Sequence, residues 1–209
     1  MKKPAVWYFD FISPFAYFGF QRLGEFAPLL DVQLRPILFA GLLNHWGQKG
    51  PAEVAPKRLW TYRWCLWLAD REGIPFQIPA AHPFNPLPYL RMALACGGQT
   101  EAVRTIFEAI WTTGANPGDA AHIEALMQKL GLRSLQANSD IVKAQLRANG
   151  DEAIGRGVFG VPTLHVEGEN FWGADATDFA LAWLADPSLL HSPQMQRIAQ
   201  LPAAASRKP

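Results

Sequence analysis

The chain has 209 residues, 49% of them hydrophobic, with a formal net charge of +1. That is enough apolar material for a real core in one domain with a large insertion, or in two small lobes. Near-neutral charge, with no basic run interleaved with aromatics, argues against a nucleic-acid partner. No long uncharged apolar run suggests a membrane span.

Residues 5–11 are aromatic and β-branched, the signature of a buried strand. Ser13 then has N-cap chemistry, and Pro14 stands at the first helical position, where its missing N–H costs nothing. A helix is predicted to about Leu30, and the alternation from Val32 to Leu38 predicts a second strand. Gly41 to Pro56, rich in Gly, Pro and Asn, reads as loop. Helical patterns follow at about 56–72, 87–97, 99–114, 119–131 and 138–156, separated by segments containing Gly or Pro.

After Gly157-Val158-Phe159-Gly160-Val161-Pro162, a short strand is predicted at Thr163 to Val166, a turn at Glu167-Gly168-Glu169, and a returning strand from Asn170 to Trp172. A last helix runs from about Asp175 to Ala185. The order β-α-β, helical block, α-β-β-α is that of an α/β, thioredoxin-like fold with an inserted all-helical lobe. The expected division is residues 1–40 and 138–187 for the thioredoxin-like part, 41–137 for the lobe and 188–209 for a tail. The Ala/Pro-rich end from Leu201 to Pro209 is expected to fray.

Ser13 stands where a thioredoxin-type redox protein places Cys-x-x-Cys, but this chain reads Ser13-Pro14-Phe15-Ala16. Any sulfur chemistry there needs a thiol brought by a ligand. The plain alternative is a helix cap, weighted evenly with the functional reading on local sequence. A helix N-terminus favours an anion. A free thiol near pKa 8.5 is only about 3% ionised at pH 7, so lowering it by about two units raises the thiolate more than tenfold. A nucleophilic Ser13 has no His or Asp close in sequence to support it.

Val161-Pro162 reads either as a strand-opening proline or as a cis bond that frees the Val161 backbone for a peptide-like ligand. Asp175 reads either as a cap of the last helix or as a partner of a ligand ammonium. Lys57, with Gln48 and Lys49, reads as a solvated helix start or as a cation meeting a carboxylate. Trp60, Trp64 and Trp67 share one helix face, and packing is the favoured reading over an aromatic wall for a flat substrate. The proline-stiffened His82 to Pro88 segment is either a connector or the bearer of Asn85, with Arg91 nearby. Five scattered histidines lack ligand spacing, so no metal is predicted. Cys65 and Cys96 read as buried small hydrophobes in a reducing, cytoplasmic setting.

Together, Tyr8-Phe9-Asp10-Phe11-Ile12-Ser13-Pro14-Phe15-Ala16-Tyr17, Gly47-Gln48-Lys49-Gly50-Pro51 with Lys57, Gly157-Val158-Phe159-Gly160-Val161-Pro162-Thr163 and Phe171-Trp172-Gly173-Ala174-Asp175 resemble the 2-hydroxychromene-2-carboxylate isomerases and the kappa-class glutathione transferases. Both groups are DsbA-like thioredoxin folds, and the resemblance covers essentially the whole chain. It implies bound glutathione, with Ser13 at the sulfur, and Val161 and Pro162 at the cysteinyl part. It further implies Ala174 and Asp175, after Trp172, at the γ-glutamyl end, and Lys57, with Gln48, at a carboxylate. It implies an isomerase acting by reversible thiolate addition to a conjugated double bond of an aromatic keto acid, and a homodimer. Substrate contacts are expected from Trp60, Trp64, Asn85 and Arg91. A kappa-like transferase or peroxidase, and a non-catalytic glutathione-binding protein, are the alternatives. Gln48 replaces an asparagine common in the kappa class, and Ala176 stands where arginine often follows the acidic residue.

Overall fold

A computed structural model describes residues 1–198, 200–202 and 205. Four strands form one mixed sheet in the order β2-β1-β3-β4: β1 Lys3–Phe9, β2 Leu30–Pro36, β3 Thr163–Val166 and β4 Glu169–Trp172. β1 and β2 are parallel, so the chain must cross over between them, and α1 Pro14–Arg22 does so. β3 and β4 are a tight antiparallel pair turned at Glu167-Gly168.

The alternation of β1 splits the interior into two layers. Ala5, Trp7 and Phe9 face the larger core, and Val6 and Tyr8 face a smaller one with Ile37, Leu42, Ala153 and Val158. Phe107 is central to the larger core, its ring packing against Trp7, Phe9, Phe11, Tyr17 and Phe20.

Between β2 and β3 lie α2 Phe39–Trp46, α3 Ala55–Glu72, α4 Leu87–Ala95, α5 Thr100–Trp111, α6 Ala120–Lys129, α7 Ser134–Ala137 and α8 Asp140–Gly155. After β4 come α9 Thr177–Ala185 and α10 Pro193–Ile198. This is the predicted α/β fold with a helical insertion.

Three expectations need correction. The segment from Gly41 is not all loop. Phe39-Ala40-Gly41-Leu42-Leu43 winds into α2 because Leu42 is buried in the smaller core, and the helix stops at Gly47 in the left-handed conformation. The first helix ends at Arg22 and tightens into a 3-10 turn over Leu23–Phe26 rather than running to Leu30. Residues 188–198 are not tail, since a 3-10 turn at Pro187–His191 and α10 follow α9, and Leu189 and Leu190 pack on the core. Of the end expected to fray, residues 203, 204 and 206–209 lie outside the described residues. No helix among the described residues is long and apolar enough to cross a membrane.

Candidate functional site

Ser13 caps α1 as its sequence demands. Its backbone is extended, and its Oγ accepts the N–H of Ala16 at 3.2 Å. A hydroxyl that accepts through one lone pair still has its proton to donate. The backbone N–H of Phe15 has no partner among the described residues, so the helix start keeps a free donor beside that hydroxyl. Ser13 is only 8% exposed, and Phe15, two residues on, is the part of this turn that reaches the cleft.

The cleft has a volume of about 620 Å³. Phe15, Phe18 and Arg22 of α1 line one side, and Trp60, Trp64, Leu68 and Arg71 of α3 face them. Val161, Trp172 to Asp175, and the acids Glu72 and Asp178 complete it. Val161-Pro162 is cis. Neither the N–H nor the C=O of Val161 has a hydrogen-bond partner among the described residues, while the Pro162 carbonyl accepts Gly173 N–H at 2.9 Å. One residue of backbone is thus unpaired at the cleft wall.

Two glycines shape this wall. A Cβ on Gly160 would come within 2.3 Å of the Trp172 indole, so only glycine lets that ring lie across the loop. Gly173 has φ +103, and a Cβ there would lie 2.3 Å from the Asp175 carboxylate.

Trp60 and Trp64 are not packed in the interior, contrary to the favoured expectation. They are 60% and 37% exposed and stack on each other at 5.6 Å with planes 8° apart. The buried face of α3 is Thr61, Cys65 and Ala69 instead, which leaves the indoles outward. Trp67 continues the stack at 5.0 Å from Trp64 but does not line the cleft, and its ring carries the Arg71 guanidinium.

Other named residues lie apart. Gln48 and Lys57 are exposed and do not line the cleft, although Lys57 is one turn before Trp60 on α3. Asn85 does not line the cleft, and its Oδ1 accepts Leu87 N–H at 3.1 Å. Arg91 donates to Asn138 Oδ1 at 3.2 Å and does not line the cleft. Cys65 and Cys96 are free thiols, and burial pushes the Cys65 thiol up to about 12.

Sequence reasoning passed over Asp10. It is fully buried, and its carboxyl accepts the N–H of Ile12 at 3.1 Å and of Phe39 at 2.8 Å. Burial raises its pKa to about 7, against those hydrogen bonds. A charged residue inside an apolar run was the available signal.

The profile of the DSBA-like thioredoxin domain matches residues 6–185. The chain belongs to that family. Among DsbA-like relatives, a 2-hydroxychromene-2-carboxylate isomerase of Sphingobium xenophagum is 31% identical over 89% of this chain and 100% of its own. A glutathione S-transferase kappa 2 of Caenorhabditis elegans is 25% identical over 89% and 93%. A solved 2-hydroxychromene-2-carboxylate isomerase superposes with TM-score 0.71 at 25% identity, covering 95% of this chain and 100% of the other.

Proposed function

We propose that this DsbA-like protein is an enzyme that binds glutathione in the cleft and isomerises an aromatic, conjugated keto acid of the 2-hydroxychromene-2-carboxylate kind. The observation that carries the reading is the Ser13 hydroxyl, bonded to Ala16 N–H through its oxygen and left with a proton to donate at a cysteine-free helix start. Relatives named as isomerase and as glutathione transferase support it.

The residues present fit the tripeptide. The free Val161 N–H and C=O suit the cysteinyl backbone, in the manner of an added strand. The exposed Asp175 suits an ammonium, and the exposed Lys57, one turn before Trp60 on α3 and outside the cleft lining, suits a carboxylate that extends beyond the cleft. Bound, glutathione would supply a thiolate that adds reversibly to a conjugated double bond, so that the bond turns as a single bond and is restored when the thiolate leaves.

Ser13 holds the sulfur as an anion. Its O–H contributes a charge-assisted hydrogen bond of about 1.5–3 kcal/mol, and the Phe15 N–H and the helix dipole act in the same direction. That range corresponds to a thiol pKa lower by about one to two units. Trp60 and Trp64 offer a flat apolar face to an aromatic substrate. The dimer implied by the resemblance is proposed on the same footing, since Leu59, Leu66 and Trp67 leave an exposed apolar strip on α3 outside the cleft.

Calorimetry with glutathione, followed by product analysis with 2-hydroxychromene-2-carboxylate, tests the reading. Rearranged substrate with unchanged glutathione is expected. An accumulating conjugate would make the protein a kappa-like transferase, binding without turnover would make it a carrier, and no binding would sink the proposal.

A further inference from the structure

Two consecutive carbonyls in the turn between β1 and α1 are held by side chains of the helical insertion. The Phe11 carbonyl accepts from Trp111 Nε1, on α5, at 3.0 Å. The Ile12 carbonyl lies 2.8 Å from His82 Nε2, in the connector between α3 and α4. His82 Nδ1 in turn lies 2.7 Å from the hydroxyl of Tyr62, on the helix that carries Trp60 and Trp64. One imidazole therefore touches both the turn that ends in Ser13 and the helix that walls the cleft.

The partners dictate the proton arrangement. A carbonyl offers only lone pairs, so Nε2 carries the hydrogen. Burial lowers the His82 pKa from its ordinary value, and the Arg58 charge adds to this against the bond to Ile12. The ring is thus neutral at pH 7, and Nδ1 presents a lone pair to the Tyr62 hydroxyl. The His82 carbonyl, 3.1 Å from the same hydroxyl, is a second acceptor for its one proton, and the shorter contact to Nδ1 takes the larger share. The His82 ring packs against Trp111, with centroids 5.5 Å apart, so the imidazole has little room to rotate.

The peptide unit between Ile12 and Ser13 is consequently tied at both polar atoms. Its C=O meets His82, and its N–H donates to the Asp10 carbonyl at 3.1 Å. With that plane fixed on one side, and the Ser13 carbonyl held on the other by the helix that follows, where it accepts Ala16 N–H at 3.0 Å, φ of Ser13 and hence the direction of its Cβ are set.

We infer that His82 is a positioning residue: with Tyr62 it locks the Ile12–Ser13 peptide and so aims the Ser13 hydroxyl at its ligand. The inference rests on the reading of Ser13 as the sulfur-binding group. His82 acts through the backbone and touches neither sulfur nor substrate.

The test follows the thiolate absorbance of glutathione bound to the full chain as pH is varied, in wild type, Ser13→Ala, His82→Phe, His82→Gln and Tyr62→Phe. Thermal stability and glutathione affinity are measured alongside. His82→Phe keeps a planar ring without either nitrogen, and the bound thiol pKa is expected to rise by about half a unit, roughly threefold less thiolate near neutral pH. His82→Gln can still donate to Ile12 and is expected to recover most of that loss. Tyr62→Phe should move the thiol the same way by less.

Wild-type thiol pKa in His82→Phe and Tyr62→Phe, with Ser13→Ala shifted, overturns the inference and leaves the Ser13 reading standing. Lowered thermal stability alone does the same, because it marks His82 as merely structural. An unshifted Ser13→Ala removes the Ser13 reading, and the inference with it. If His82→Phe does not fold, Tyr62→Phe decides, and a wild-type thiol pKa there overturns the inference.

Discussion

The Asp10 carboxyl accepts the backbone N–H of Phe39 at 2.8 Å and so fastens the start of α2 to the end of β1. Leu38, at the N-cap of α2, has no side chain able to do this, so a carboxyl distant in sequence takes the capping role. The same group also holds Ile12 N–H, which joins α2 to the Ser13 turn through one buried acid.

Asp10 sets a pH dependence of stability. Its folded pKa of about 7 lies above the ordinary 3.8, so the native state binds the proton more tightly than the unfolded chain. Its contribution is full below about pH 4, is lost as pH rises towards 7, and is constant above that. Chemical denaturation across this window should show Asp10→Asn with a flatter fall than wild type, the difference approaching about 1.4 kcal/mol per pH unit at most. Equal slopes in the two proteins would contradict the assignment.

Trp60 and Trp64 should separate binding from folding. Both are exposed, so alanine at either position should cost little stability beyond that of their mutual stack, about 0.5–1.5 kcal/mol. Loss of one stacked face, about 0.5–1.5 kcal/mol, should raise the KM for an aromatic substrate by roughly two- to tenfold. Steady-state kinetics and a melting curve on the same preparations read both quantities.

Trp111 should behave in the opposite way. It is fully buried and donates to Phe11. Trp111→Phe leaves the Phe11 carbonyl without its donor and opens a gap, so a loss of about 2–4 kcal/mol is expected in urea denaturation. A near-neutral result would show that the turn does not depend on this bond.

Gly160→Ala should displace the Trp172 indole, since the new methyl would sit 2.3 Å from its Nε1. The ring is 53% exposed and free to swing out, so folding should survive. The cleft loses part of its wall, and calorimetry should find glutathione bound several-fold more weakly, about 1 kcal/mol. Wild-type affinity would mean that Trp172 does not border the ligand.

Asp175→Asn keeps the shape of the side chain and removes its charge. If Asp175 holds the ligand ammonium at the cleft edge, affinity for glutathione should fall by roughly tenfold, with a weaker dependence on salt than wild type. Titrations at two ionic strengths measure both.

The local order of the chain was legible in its residues. Alternation in β1, the Ser13-Pro14 helix start and the Gly-Pro punctuation of the insert act over a few neighbours, so sequence alone placed the sheet frame, the cap and most helices. The exposure of Trp60 and Trp64 was not legible. Their spacing fits a packed face as well as a cleft wall, and only the docking of α3 through Cys65 and Ala69 chose between them. The winding of Phe39–Trp46 into a helix, the pairing of Arg91 with Asn138 and the meeting of His82 with Ile12 were likewise tertiary decisions. Each depends on groups far apart in the chain, whose contact is set by how the helical insertion closes over the sheet and by no pattern within a single segment.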